Sequence, residues 1–391
     1  MLDVFLRELR RLATTPVYWL TLVVAPLFCA LLFTSLMRSG LPADLPIGLV
    51  DMDGSATTRN LARNLDAFQN CHIVERYASP TEARAAMQRG DIYAFYYIPR
   101  GTTQKLMSQR SPIVSFYTNN QFLVAASLTY KDMRMMSELM GGAATRTVMR
   151  GKGVTDGQTM ALLQPIVIDT HPIGNPSLNY SIYLSNILLP GVFSLFCLFM
   201  TVWGIGIEIK ESTADELLAT AARRGHPGAA TISARALFGK LAAQGLLMQL
   251  VGWTLVLYLY GYLRYPCQCG IPTALGIMTL FVAACQGLGA FMICTLPNLR
   301  LGLSFASLWG VVSFSICGMS FPVMAMPSWV QGISHLFPLR HYYLLYVNSM
   351  LDGWPLAAAW PYVLALAAFA LLPLLYCRSF SRIMARTAYH P

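Results

Sequence analysis

The chain has 391 residues, of which 55% are hydrophobic and only 12% charged, about half the charged share of a typical soluble domain. Its net charge of +10 would point to nucleic acid only if the positive side chains gathered on one soluble face. Instead 14 of the 28 Lys and Arg are spread through residues 38–178 beside 11 acids, and the rest flank apolar stretches. That pattern argues against a nucleic-acid partner and reads as charge that sets membrane topology.

Taken in chain order, residues 1–16 carry Arg7, Arg10 and Arg11, with Leu2, Phe5, Leu6, Leu9 and Leu12 at helical spacing. This predicts an amphipathic helix lying on a membrane, ended by Pro16. Val17–Met37 follows without a charge. It is longer than the apolar core of a secretory signal and lacks a small-residue cleavage pattern, so it is expected to be an uncleaved first span.

Residues 38–178 are polar. Leu45–Val50 reads as a strand and Thr57–Phe68 as a helix capped by Ser55. His72–Tyr77 is a strand, Thr81–Arg89 a helix between Pro80 and Gly90, and Tyr93–Ile98 and Ile113–Tyr117 further strands. Phe122–Arg150 is a long helical stretch, with Gly141–Gly142 as a place for a break, and Ile166–Asp169 is expected to return to the sheet. The β-α-β-α-β order implies a small α/β domain. Asp51-x-Asp53 lacks the rest of a calcium loop and fits a strand running into a turn.

Beyond residue 170 the only acids are Glu208, Glu211, Asp215, Glu216 and Asp352, and residues 170–207, 241–263, 265–299, 301–339 and 353–377 contain no charge at all. Backbone in lipid must satisfy its own hydrogen bonds, so these stretches are expected to be helical. The spans are placed at 17–37, 182–207, 238–262, 272–294, 301–324 and 355–377, with Asn179–Asn186 packing at the outer surface first. The basic residues of 208–240 and the C-terminus place these segments, with both termini, in the cytoplasm, and residues 38–178 outside. Segment 325–338, bracketed by Pro327 and Pro338, is too short to cross and is expected to be a re-entrant or interfacial element, with Trp329 an interface anchor.

Residues 208–227 carry the clearest local pattern. Thr213-x-x-Glu216 reads as a capping box, Asp215 and Glu216 as first-turn acids, Arg223 and Arg224 as last-turn bases, and Gly225 and Pro227 as the stop. This predicts a short capped helix, a docking handle for a partner. The chain has no GxxxxGK[ST], HExxH, GxSxG or CxxC, so no ATP site, metal site or catalytic constellation is expected. Its six histidines are scattered, and Cys267-x-Cys269 alone is a weak metal signal. The spans lack the mid-membrane Asp, Glu or His of ion-coupled carriers, which suggests a path for an amphipathic cargo.

Several segments, in order, resemble the permease subunits of ABC-2 type transporters, of the bacterial exporter kind with a large outer domain. LPIGLVDMDGSATTRNLARNL resembles the strand-turn-helix after the first span. AMQRGDIYAFYYIPRGTTQKL resembles a second outer segment through Gly90, Ala94, Ile98, Pro99 and Gly101. The Glu208–Gly239 loop is similar to the coupling element through Glu211 and Glu216-Leu217-Leu218, with Ser212 where glycine is usual, and Gly239-Lys240 fits the start of the third span. CGMSFPVMAMPSWVQGISHLFPLRHY fits the outer re-entrant segment through Gly318, Phe321, Pro322, Met326, Pro327, Trp329, Pro338 and Leu339.

The fold expected is thus an α-helical integral membrane protein with six transmembrane helices and an inserted α/β extracytoplasmic domain. Its parts are 1–37, 38–178 and 179–391, the last holding the coupling loop 208–236 and the re-entrant 325–338. The resemblance implies an exporter permease without its own ATPase site, with ATP and Mg held by a separate cytoplasmic subunit. A second permease copy or a similar permease, membrane lipids and a periplasmic adaptor are the further partners it suggests, in a bacterial inner membrane. Glu208, Lys210, Glu211, Asp215, Glu216, Leu217, Leu218, Arg223 and Arg224 would couple to the ATPase. Gly318, Phe321, Pro322, Pro327, Trp329 and Pro338 would form the outer gate. The alternative reading is a membrane receptor or secretion scaffold whose outer domain binds a protein.

Overall fold

The computed structural model describes residues 1–38, 40–108, 110, 112–155, 157–159, 171, 175, 179–223 and 228–386. The chain divides into two compact units, Met1–Arg38 with Pro172–Pro391, and Ser39–His171. In the first unit, α1 (Leu2–Thr14) stops two residues before Pro16, which opens α2 (Pro16–Leu36). A wide π turn at Leu20–Val24 precedes Pro26. Proline lacks an N–H and its ring crowds the carbonyl four residues back, here that of Leu22, and the widened turn relieves both.

The second unit contains β1 (Leu45–Asp51), α3 (Ala56–Asp66), β2 (Cys71–Arg76), α4 (Pro80–Arg89), β3 (Ala94–Ile98), α5 (Thr102–Met107), β4 (Ser115–Thr118) and α6 (Leu123–Gly151). The sheet order is β2-β1-β3-β4, with β1 parallel to both neighbours and β4 antiparallel to β3. Alternation along β1 sends Ile47 and Leu49 to a core shared with Leu61 and Leu65 of α3 and Met133 of α6. Val50 faces the other side, with Ala83 and Ala86 of α4. Ser55 caps α3 by accepting from the Thr58 N–H at 3.1 Å. Asp51 accepts from the backbone of Asp53 and Gly54, both at 3.0 Å, and Asp53 accepts from the Thr103 hydroxyl at 2.5 Å, which holds its carboxyl below the usual range. Both carboxylates are therefore engaged in closing the turn. Two expectations differ from what is found. α6 runs through Gly141–Gly142 without a break, and α5 is a helix the sequence reading left out. Ile166–Asp169 lies outside the described residues.

The first unit continues with α7 (Tyr180–Lys210), α8 (Ala214–Ala222), α9 (Ala229–Tyr262), α10 (Ile271–Thr295) and α11 (Leu299–Ile316). Then follow α12 (Ser328–Ser334), α13 (338–351), α14 (Trp360–Tyr376) and α15 (Phe380–Arg386). Among the described residues, α2, α7, α9, α10 and α11 are long and apolar enough to cross a membrane, so the chain is a helical membrane protein. α7 and α10 are the most buried of these and α2 and α11 the least. α14 is shorter, but its last five residues form a 3-10 turn with a longer rise per residue, giving about 28 Å in all, close to the ~30 Å hydrocarbon core.

Asn179–Asn186 is not a separate surface segment. Asn179 caps α7 directly, accepting from Ser181 N at 2.8 Å, and the helix runs on for 31 residues, about 46 Å. The fifth span ends at Ile316 rather than near 324, because Cys317–Pro322 turns away. α13 falls largely between the expected 325–338 element and the expected last span, where no helix was expected. It is buried through His341, Tyr342, Leu345, Tyr346, Ser349 and Met350 and packs on α10, α14 and α11.

Candidate functional site

The charged end of the membrane unit is built by α1, the end of α7, α8 and the start of α9. Its centre is Glu208, whose side chain is wholly shielded from solvent. Glu208 Oε1 accepts from Arg7 Nη1 at 2.9 Å, Arg11 Nη1 at 2.7 Å and Lys240 Nζ at 2.8 Å. Its Oε2 accepts from Arg7 Nη2 at 3.1 Å and from the Thr213 hydroxyl. Lys240, equally buried, also donates to Glu8 Oε2 at 2.6 Å, and Gln244 donates to Glu8 Oε1 at 2.9 Å. At the rim, Arg11 reaches Glu211 at 2.6 Å and Arg7 reaches the exposed Glu216 at 3.5 Å. Burial pulls the Arg7 guanidinium down, but its bonds to Glu208 and Glu216 outweigh this and hold it above its ordinary value. Buried charge persists only when paired and hydrogen-bonded; here three cations face Glu8, Glu208 and Glu211.

Local sequence explains how the parts meet. In α1, Val4, Glu8 and Leu12 recur every four residues and form the face turned into the protein, while Leu2, Leu6 and Leu9 stay exposed. Gly239 lets α1 approach α9: a Cβ there would stand 2.9 Å from Val4 Cβ and 3.0 Å from the Met1 carbonyl oxygen. Gly204 makes room for Gln244, since a Cβ there would lie 1.9 Å from its amide nitrogen. Gly204→Ala is therefore expected to displace Gln244 from Glu8 and destabilise the chain by about 1–3 kcal/mol, checked by thermal unfolding of the purified protein.

α7 ends in a Schellman closure. Thr213 N–H donates to Glu208 O at 3.0 Å and Ser212 N–H to Ile209 O at 3.3 Å, with Ser212 at φ 56°. A side chain in this left-handed region costs about 1–2 kcal/mol, and Ser212 is the position where the resembling family has glycine. Ser212→Gly is expected to raise stability by about 1 kcal/mol, read as a higher unfolding temperature.

The sequence-predicted coupling residues separate into two sets. Asp215, Glu216, Lys210, Glu211 and Arg223 are exposed and Leu218 is half-buried. Leu217 is fully buried, packed with Ala214, Ala221 and Leu237. Glu208 is not on the surface at all, so it belongs to the frame that carries α8 rather than to its outer face. The capping box is also absent: Thr213 makes no cap bond, because its hydroxyl turns back to Glu208. Arg224, Gly225 and Pro227 lie outside the described residues. Arg7, Glu8, Arg11, Lys240 and Gln244 were missed as functional residues. Two signals could have found them: Glu8 interrupts an otherwise apolar helix face, and Lys240 stands at the entry to the uncharged stretch 241–263, where an unpaired cation is costly.

At the opposite end of α11, Gly318 turns with Arg340 over it, and Arg340 Nη1 donates to Cys317 O at 2.8 Å. Pro322 precedes a short 3-10 turn, Pro327 opens the seven-residue α12, and Pro338 opens α13. Phe321 and Trp329 are exposed. The expected 325–338 element is thus a turn followed by a short helix. Cys267 and Cys269 place their sulfurs 3.7 Å apart, and the hydrogen bond with Cys269 lowers the Cys267 thiol to about 7. Among the described residues no three His, Cys, Asp or Glu side chains gather as metal ligands.

No individual curated protein matches the chain. Residues 16–376, nearly its whole length, match the family described as ABC-2 family transporter protein. A bundle of membrane-length helices with a short helix packed beside a buried charge cluster at one end is in keeping with that match, and the chain belongs to the ABC-2 family of transporter proteins.

Proposed function

We propose that the chain is the transmembrane subunit of an ATP-driven exporter in a bacterial inner membrane. It lacks an ATPase site of its own and works with a separate cytoplasmic subunit that binds ATP and Mg. The observation that carries this reading is α8. Leu217 pins its inner side, the Glu208 cluster fixes its base to α1, α7 and α9 together, and Asp215, Glu216 and Ala219 stand exposed. A push on that exposed face reaches three long elements at once through one charge cluster. The ATPase docks there, on the cytoplasmic side with both termini, and residues 39–171 lie outside, where a periplasmic adaptor would meet them.

The exposed stripes Leu20, Val24, Phe28 and Leu31 on α2, and Leu301, Phe305 and Leu308 on α11, suit lipid or a second permease copy. α14 completes six spans. The outer set from Gly318 to Pro338 acts as the exit gate. The cargo is an amphipathic drug-like or lipid-like molecule, consistent with uncharged helix walls.

The test is co-expression with a cytoplasmic Walker-motif ATPase that co-purifies with this chain, followed by uptake of labelled amphiphiles into inverted vesicles. ATP-dependent uptake is expected; its absence across lipid-like and drug-like probes counts against export. The double change Asp215→Arg with Glu216→Arg is expected to lower ATPase co-purification about tenfold or more while costing only about 1–2 kcal/mol of stability, since both are exposed rim charges whose loss removes the long Arg7–Glu216 contact and two first-turn acids.

A further inference from the structure

The turn between α9 and α10 carries a cysteine pair that neither the α8 docking face nor the outer segment uses. Cys267 and Cys269 are free and partly exposed, whereas Cys71, Cys197, Cys285, Cys294 and Cys317 are buried. The backbone holds the pair together. Gly270 N–H donates to Cys267 O at 3.3 Å and closes the turn around Gln268. Gln268 N–H donates to Met350 O at 2.7 Å, so the tip of the turn is tied to the end of α13. Gly353, at φ 72°, lies against the same residue: a Cβ there would stand 3.2 Å from Gln268 Cβ. The 3.7 Å contact between the two sulfurs is therefore set by a fixed backbone.

Two adjacent thiols can hold a soft metal or form a disulfide. A structural metal site closes with four ligands, and among the described residues no third His, Cys, Asp or Glu joins the pair. Thiol–disulfide exchange needs only what is present: a thiolate that attacks and a neighbouring thiol that resolves the mixed disulfide. The contact makes the two members unequal. It lowers the Cys267 thiol and, together with partial burial, raises that of Cys269. We propose that Cys267 and Cys269 form a redox-active dithiol, oxidised to a reversible disulfide by a low-molecular-weight disulfide, with Cys267 attacking and Cys269 resolving. The Cys267 thiolate attacks one sulfur of the oxidant, whose S–S bond breaks and releases one thiolate. Cys269 Sγ, losing its proton to solvent, then attacks Cys267 Sγ and expels the second. The two protein thiols give up two electrons and two protons, and the oxidant leaves as two thiols. The covalent ring closes where the turn meets α13. The turn follows α9 at the end away from Lys240, so under the proposed topology it faces outward, where disulfides persist. The exchange itself depends neither on that placement nor on any cargo.

The test uses the full chain, purified in detergent with reductant and freed of it, then exposed to oxidised glutathione at neutral pH. The reaction is stopped with acid, remaining thiols are alkylated, and the chymotryptic peptide covering residues 264–275, whose only cysteines are these two, is weighed. A mass two hydrogens below the dithiol, with neither alkyl group nor glutathione and reversed by dithiothreitol, is expected. Cys269→Ser should stop at glutathione attached to Cys267. Cys267→Ser should take up glutathione at Cys269 about tenfold more slowly or less. A parent peptide that stays alkylated at both cysteines, or that carries two glutathiones, overturns the proposal, and so do equal uptake rates in the two single variants. No ATP, partner or membrane orientation enters the measurement, so a chain that exports nothing would give the same result.

Discussion

Glu208→Ala is expected to destabilise the membrane unit by about 3–5 kcal/mol, enough to lower its unfolding temperature by roughly 6–20 °C or to abolish recovery of folded protein. The size follows from what the carboxylate holds. It is the common acceptor of Arg7, Arg11, Lys240 and Thr213. Its loss leaves Lys240, shielded from water, with Glu8 as its one remaining carboxylate. The arginines, which keep some solvent exposure, can reorganise toward solvent and Glu211, but Lys240 cannot. The companion measurement is a cycle on the other pair. Lys240→Met strands Glu8 as a buried charge and should cost a similar amount. Adding Glu8→Gln to Lys240→Met should recover at least about 1 kcal/mol, because the stranded charge is removed. Losses that simply add would mean the cluster contributes packing rather than charge compensation. Unfolding followed by intrinsic fluorescence in detergent reads all four proteins.

Leu217→Asp is the second large effect. From the sequence alone it would uncouple the ATPase and leave the chain folded, since Leu217 falls within the expected docking helix. Its position changes that expectation. The side chain is completely buried among Ala214, Ala221 and Leu237, with α15 closing the same cluster through Phe380 and Met384. Placing an unpaired carboxylate there costs the lost burial and the desolvation of a charge, about 4 kcal/mol or more. The expected result is detachment of α8 from α9 and α15, seen as new protease cleavage in residues 212–223 and a lower unfolding temperature. A folded Leu217→Asp chain with unchanged protease resistance would show that α8 is not anchored through this residue. Weakened ATPase binding by this variant alone says nothing about a docking contact, which is why the exposed Asp215 and Glu216 are the discriminating positions.

The long apolar helices and the strand-helix alternation of residues 45–118 were legible because each depends on a local period: uncharged runs near 20 residues for spans, alternate burial for strands. What was not legible depended on partners distant in sequence. Glu8 and Lys240 are 232 positions apart, and no local pattern announces that they meet. α13 was hidden for a related reason. His341, Asn348 and Ser349 give it a loop-like composition, and it is helical because its surroundings bury it, with His341 Nε2 placed 2.9 Å from His335 O. Thr213 misled in the opposite way. It has the right type and spacing for a cap, but a buried carboxylate five residues earlier is a stronger acceptor for its hydroxyl than the helix end is a donor.

Everything functional here rests on α8 facing the ATP-containing side of the membrane while the sheet-bearing unit faces away from it. Trypsin added to intact spheroplasts, with cleavage sites mapped by peptide mass spectrometry, tests that directly. Cuts after exposed residues such as Arg59 and Arg84, with none after Arg223 until the membrane is broken, are the predicted outcome. Cutting after Arg223 in intact spheroplasts, with Arg59 and Arg84 protected, would contradict it.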